Sequence, residues 1–141
     1  LTLADTSSYV MCGLAAAVRH HHHAVDEFLV PHTPADSDIA ALVAAVHSYD
    51  LVIAGTVNAH TEPQQAALVN ALLSTGVPLI AVALRLPYDL QVYPTAPTYL
   101  CTYGILDPST SALARALFGE ISCTGRLPVS IPGLYPTGHR A

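Results

Sequence analysis

Residues 50–84, DLVIAGTVNAHTEPQQAALVNALLSTGVPLIAVAL, carry the pattern that decides the fold. Residues 51–54 and 79–84 are short apolar runs without polar alternation, as expected of parallel strands covered by helices on both faces. Between them, Leu68, Val69, Leu72 and Leu73 mark the buried stripe of a helix. Thr61 with Gln64 forms a candidate capping box, Pro63 suits the first helical turn, and Gly76 suits a left-handed helix end. A strand, a helix and a parallel strand joined in this way make a right-handed crossover, the unit of open doubly wound sheets.

The same alternation extends outward. In residues 38–47, Ile39, Leu42, Val43 and Val46 fall at i, i+3, i+4 and i+7, giving one apolar helix face. Residues 12–22 read as a helix and 25–30 as a strand. On the other side, 98–102 reads as a strand and 110–118 as a helix with Leu113, Ala114, Leu117 and Phe118 on its apolar side, stopped by Gly119. Residues 127–129 suggest a short edge strand. Residues 1–3 are too short for a convincing opening strand: either that strand begins upstream of Leu1, or these residues are its end. In the first case an unpaired sheet edge invites self-association, and with an undocked C-terminal arm it leaves apolar surface uncovered, so a weak homodimer is expected. The expected architecture is a three-layer α/β/α sandwich over residues 1–127, with a mainly parallel, doubly wound sheet of the Rossmann or flavodoxin-like kind. Residues 128–141 form a separate arm. Pro128, Pro132, Pro136, Gly133 and Gly138 disfavour helix and central strand there, so the arm's order must come from docking.

Composition narrows the function. The chain has 141 residues, with ten carboxylates against five arginines and no lysine, for a formal net charge of −5. That is one ordinary domain with no basic footprint for nucleic acid or anionic membranes. The longest strongly apolar run, 77–84, contains Pro78 and falls far short of the ~20 residues that cross a bilayer. Residues 1–9 lack the charged and apolar regions of a signal peptide, but a chain that starts within a domain would carry none, so localisation stays open. Cys12, Cys101 and Cys123 have no short metal-type spacing and read as inert or buried thiols.

In open parallel sheets ligands bind beyond the carboxyl ends of the strands. Two loops there are polar: one after 51–54 carries Asn58 and His60, and one after 79–84 carries Arg85, Tyr88 and Asp89. Arg85, Tyr88 and Asp89 could hold a sugar hydroxyl or a neighbouring domain through directional, charge-assisted hydrogen bonds. The plainer alternative is that Arg85 and Asp89 pair locally and set the loop. No convincing pair of catalytic carboxylates is present, since the only glutamates are Glu27, Glu62 and Glu120, and Glu62 is explained by a helix N-terminus. Of His20, His21, His22 and His23 only the first and last share a helix face, so they read as a solvated helix end and no metal or cofactor is expected. Cys12 at a helix start suggests a small cysteine-dependent hydrolase, although no nucleophile elbow supports it. A free-standing Rossmann-like module for a small ligand is a further alternative, without a dinucleotide fingerprint or P-loop.

Several stretches resemble one family. TYLCTYG (98–104), ALARALFG (112–119) and GRLPVSIPGLYPTGH (125–139), with DLVIAGTVN (50–58), QQAALVNALL (64–73) and ALRLPYDL (83–90), are similar to the second, C-terminal domain of glycoside hydrolase family 3, nearest its bacterial β-N-acetylglucosaminidase branch. The resemblance covers residues 50–139 well and the first fifty loosely. It implies a non-catalytic domain of a β-N-acetylhexosaminidase or β-glucosidase of carbohydrate metabolism, packing on an N-terminal catalytic (β/α)8 barrel and helping to shape its carbohydrate cleft. Such a barrel needs ~250 residues and does not fit in this chain. It further implies that the nucleophilic Asp, and the His–Asp acid/base pair of that branch, lie on the barrel. In the glucosidase branch an acid/base Glu comes from the second domain, but none of Glu27, Glu62 and Glu120 matches that motif. Hence no catalytic residue is expected here, and Asn58, His60, Arg85, Tyr88 and Asp89 are the cleft or interface candidates.

Overall fold

The computed structural model describes residues 2–3 and 13–140. Among the described residues the regular elements are, in order, β1 (Thr2–Leu3), α1 (Leu14–Arg19), β2 (Leu29–Val30), α2 (Asp36–Ala45), β3 (Val52–Thr56), α3 (Pro63–Leu73), β4 (Leu79–Ala83), β5 (Thr98–Cys101) and α4 (Asp107–Leu117). Short 3-10 helices follow α2 (Val46–Ser48) and β4 (Pro87–Val92). The sheet runs β2-β1-β3-β4-β5 and every pairing is parallel. This is the flavodoxin-like order, in which the winding reverses between β1 and β3 and leaves a crevice beyond their carboxyl ends.

Burial on both faces explains the unbroken apolar runs. On one face of β3 and β4, Val52, Ala54, Leu79 and Ala81 join Leu42 and Val46 and the α3 stripe Leu68, Val69 and Leu72. On the other, Val82 packs with Leu14, Ala17 and Val18 of α1 and Leu113 and Ala114 of α4, with Ile53 and Ile80 partly buried against them. Helices α2 and α3 thus pack together on one side and α1 and α4 on the other, completing the three layers. Gly76 and Gly119, with φ of +77° and +74°, take the left-handed conformation just beyond α3 and α4, which only glycine adopts without strain.

Several local expectations are corrected. Thr2–Leu3 is a strand, and it lies inside the sheet between β2 and β3. Among the described residues the sheet edges are therefore β2 and β5. The strand expected over 25–30 is reduced to β2. Thr61 does not cap α3; its hydroxyl donates to the Asn58 carbonyl at 3.0 Å and tightens the preceding loop, while Glu62 occupies the N-cap position. Phe118, at the end of α4, is 45% exposed and stacks on His21 at 5.0 Å. No strand forms over 127–129. Cys12, like the rest of 4–12, lies outside the described residues.

The arm folds back on itself. Leu127 N–H donates to the His139 carbonyl at 2.9 Å, Gly138 N–H to the Leu127 carbonyl at 2.8 Å, and Ile131 N–H to the Tyr135 carbonyl at 2.8 Å. Ile131, only 2% exposed, enters the α2/α3 core while Leu134 and Tyr135 stay exposed. Ile131 is thus the anchor that supplies the docking this Pro/Gly-rich segment needs. Ile131→Ala should lower unfolding free energy by about 2–5 kcal/mol, read by urea denaturation. Leu134→Ala should leave it nearly unchanged, and equal effects would contradict the anchoring role.

Candidate functional site

The site is built where β3 and β4 end. Thr56, the last residue of β3, is fully buried, and so is Asp89 in the 3-10 helix Pro87–Val92. The Thr56 hydroxyl donates to Asp89 Oδ2 at 2.7 Å. Its single hydrogen being committed there, Thr56 accepts from the buried Tyr93 hydroxyl at 2.9 Å. The other carboxylate oxygen, Oδ1, accepts from His60 N–H at 3.2 Å and from His60 Nδ1–H at 2.9 Å. The 3-10 helix after β4 is thereby tied to the loop after β3. A buried carboxylate is costly unless donors satisfy it, and here three do so.

The consequence for His60 is a fixed tautomer. With Nδ1–H given to Asp89, Nε2 is left as an acceptor in the neutral ring, oriented as in other carboxylate–imidazole pairs. The ring of half-buried Tyr88 lies 5.6 Å from that of His60. Asn58 adopts the left-handed conformation, with φ of +58°, and its buried Oδ1 has no hydrogen-bond partner among the described residues. Arg85 is exposed, and its guanidinium makes no ion pair or hydrogen bond among the described residues. The local Arg85–Asp89 pair is therefore not what sets the loop: Asp89 turns inward to Thr56 and His60. His60, Tyr88 and Asp89 come together, Asn58 sits two residues from His60, and Arg85 stands apart on the surface.

Residues not singled out from the sequence complete the scaffold. Gln65, fully buried on α3, accepts from Val57 N–H through Oε1 at 2.9 Å and donates through Nε2 to the His32 carbonyl at 3.0 Å and to His32 Nδ1 at 2.7 Å. His32 Nε2 then faces Glu62 at 3.5 Å. Gln65 shares the i, i+3, i+4, i+7 face of Leu68, Val69 and Leu72, so its burial was readable from spacing. Thr56 and Tyr93 carry no such signal. Elsewhere, His21 pairs with Glu120 at 3.0 Å, and no group of three metal-ligating side chains exists among the described residues. Chemically, the edge offers an oriented imidazole acceptor, an aromatic face and a free guanidinium, suited to holding hydroxyl or amide groups.

Burial also sets the alkaline behaviour. It pushes the phenols of Tyr93 and Tyr99 well above their ordinary 10.0 and the Cys101 thiol from 9.0 up to about 11. All three are neutral in the folded chain and ionise more readily once unfolded, so the folded state binds more protons above about pH 9. The stability they carry is whole below that pH and falls as pH rises through 9 to 11. Urea midpoints should therefore drop between pH 8 and 10.5, and a constant midpoint would contradict this. Asp89→Asn puts an amide NH2 against either the Thr56 hydroxyl or the two His60 donors and should destabilise the fold by about 1–3 kcal/mol. It should also let the neutral His60 ring move its proton to Nε2, visible by 15N NMR; unchanged stability and tautomer would remove Asp89 from its central place.

Comparison with known proteins gives a consistent family signal. No family model matches the sequence, and no curated protein does. Among solved structures, the chain superposes on a glycoside hydrolase family 3 β-N-acetylglucosaminidase from Paenibacillus sp. str. FPU-7 with a TM-score of 0.79 and 28% identity over 84% of this chain. It also matches a fungal multi-domain family 3 β-N-acetylglucosaminidase, described as containing a GCN5-related glucosamine N-acetyltransferase region, with a TM-score of 0.84 and 29% identity over 99% of this chain. The chain spans only 23% and 16% of the lengths of those two proteins. The family 3 glycosidase description is what the two share. The chain is thus similar, over nearly its whole length, to one domain of family 3 β-N-acetylglucosaminidases, consistent with the C-terminal domain that its motifs resemble.

Proposed function

We propose that this chain serves as the second, C-terminal domain of a family 3 glycosidase, a β-N-acetylhexosaminidase or β-glucosidase, and packs on a catalytic (β/α)8 barrel whose carbohydrate cleft it helps to shape. In this role it supplies no group to bond cleavage. The observation that carries the proposal is the character of the carboxyl edge. Leu86 after β4 and Tyr103 and Leu106 after β5 are all exposed there, at 42%, 49% and 59%, in loops that also hold Arg85 and Tyr88. Thr102 ties the two loops together, its N–H donating to the Ala83 carbonyl at 3.0 Å and its hydroxyl to the Gly104 carbonyl at 2.8 Å. Exposed apolar side chains bordered by polar groups mark interaction surfaces.

Within this scheme Asn58, His60 and Tyr88 form the cleft wall, Asp89 holds His60 in place, and Arg85 reaches the substrate or the barrel. The 128–141 arm lies along the barrel, with Ile131 as its root in this domain and Leu134 and Tyr135 facing outward. The parent hydrolyses O-glycosyl bonds in carbohydrate metabolism. In an intact two-domain enzyme, Arg85→Ala or Tyr88→Ala should raise KM for an aryl N-acetyl-β-glucosaminide roughly tenfold, the loss of one charge-assisted or aromatic contact. kcat and Tm should hardly change. Unaltered KM in both variants would sink the cleft role.

A further inference from the structure

Two histidines brace the loop between β3 and α3, and their ring nitrogens are used in opposite senses. His60 gives its Nδ1–H to Asp89, so a proton added at Nε2 leaves that bond in place. His32, in the segment after β2, is the reverse case. Its Nδ1 lies 2.7 Å from Gln65 Nε2, and its carbonyl accepts from the same nitrogen at 3.0 Å.

The orientation of the Gln65 amide is fixed by Val57. A backbone N–H only donates, so the Gln65 atom 2.9 Å from Val57 N–H must be Oε1. The NH2 group then faces His32, with one hydrogen for the carbonyl and one for Nδ1. Turning the amide over would set NH2 against Val57 N–H and Oε1 against the His32 carbonyl, and Gln65 and Val57 are fully buried, where water cannot make good the loss. His32 Nδ1 is therefore an acceptor, and the neutral ring carries its hydrogen on Nε2, which faces Glu62 Oε1 at 3.5 Å.

An imidazolium carries hydrogen on both nitrogens. At His32 the new Nδ1–H would oppose the Gln65 NH2 group, donor against donor, while Nε2–H would meet the charge of Glu62. The ring is 24% exposed and the Glu62 side chain 35%, so that side is open to water and leaves the ring somewhere to turn. The other charged groups nearby do not compete for it. Asp38, at the start of α2, accepts from Ala35 N–H at 2.9 Å, and in the loop after β3 His60 is paired with Asp89. Among the described residues Glu62 is the carboxylate within ion-pair reach of His32.

We propose that His32 is a proton-operated latch on the loop 57–62. Neutral, it locks Gln65 and through it Val57; protonated, it lets go of Gln65 and pairs with Glu62. The loop carries Asn58 and His60, so the latch makes the order of the carboxyl edge depend on pH. The latch belongs to this chain alone, and only its consequence for a carbohydrate cleft rests on the glycosidase reading.

NMR and hydrogen exchange on the 141-residue chain test it between pH 8 and pH 5. At pH 8 the 15N shifts of the His32 ring should show hydrogen on Nε2 and none on Nδ1. As the ring takes up its second proton, the protection factor of the Val57 amide, which already corrects for the pH dependence of exchange itself, should fall at least about tenfold. The Leu84 amide, bonded to the Thr56 carbonyl, should keep its protection. In His32→Gln, which retains an acceptor but has no titrating ring, Val57 protection should stay constant over the same range. Hydrogen on Nδ1 at pH 8, unchanged Val57 protection across the His32 titration, or equal losses at Val57 and Leu84 would overturn the proposal, and each is read on the unaltered chain. The same loss in His32→Gln would overturn it too. None of these readouts involves a carbohydrate, so failure here leaves the KM prediction for Arg85 and Tyr88 standing.

Discussion

The carboxylate of Asp89 is the constraint on which the arrangement of the site rests. It is removed from water, so it must be satisfied by donors that stay in place. Those donors come from β3 through Thr56 and from the following loop through the backbone and ring of His60. One side chain therefore decides where the 3-10 helix after β4 sits, which tautomer His60 adopts, and how Tyr88 is presented. Tyr93 extends the same chain of hydrogen bonds under the loop, and Gln65 performs the equivalent task on the other side by holding Val57 and the segment after β2. Together they make the carboxyl edge a rigid platform. Rigidity is what a cleft wall requires, because positioning errors on the scale of an ångström weaken substrate contacts.

The two edges of the sheet differ in kind. At the carboxyl edge polar groups are oriented by a buried network, and Leu86, Tyr103 and Leu106 in the loops after β4 and β5 are exposed. At the amino edge a groove is lined by Val25, Phe28, Val46 and Ile53 among others. The proposed contacts with a carbohydrate and a neighbouring domain belong to the first.

Much of the fold was legible because of double-sided burial. Parallel strands covered on both faces must be apolar at successive positions, and 51–54 and 79–84 are. Helix α3 was readable through Leu68, Val69 and Leu72, and Gln65 lay on the same stripe. β1 was not readable, since a two-residue strand contains no period, and β2 was found only within a longer strand expected over 25–30. Phe118 followed the helical spacing of Leu113 and Ala114 yet escaped burial, because α4 ends at Leu117 and the next residue is free to stack on His21. At the site, the polar loops were found from their place after β3 and β4. The direction of Asp89 was not, because its partner Thr56 lies 33 residues away, and Arg85 four positions earlier was the more obvious ion partner. The motifs 98–104, 112–119 and 125–139 carried the family resemblance that the structural matches support.

The central claim is that the chain shapes a pocket for chemistry carried out by another domain. It is tested most directly by assaying the purified 141-residue chain for hydrolysis of an aryl N-acetyl-β-glucosaminide. No turnover above the uncatalysed rate is predicted. Turnover that disappears when one of the chain's own side chains, such as His60, is replaced would contradict the account.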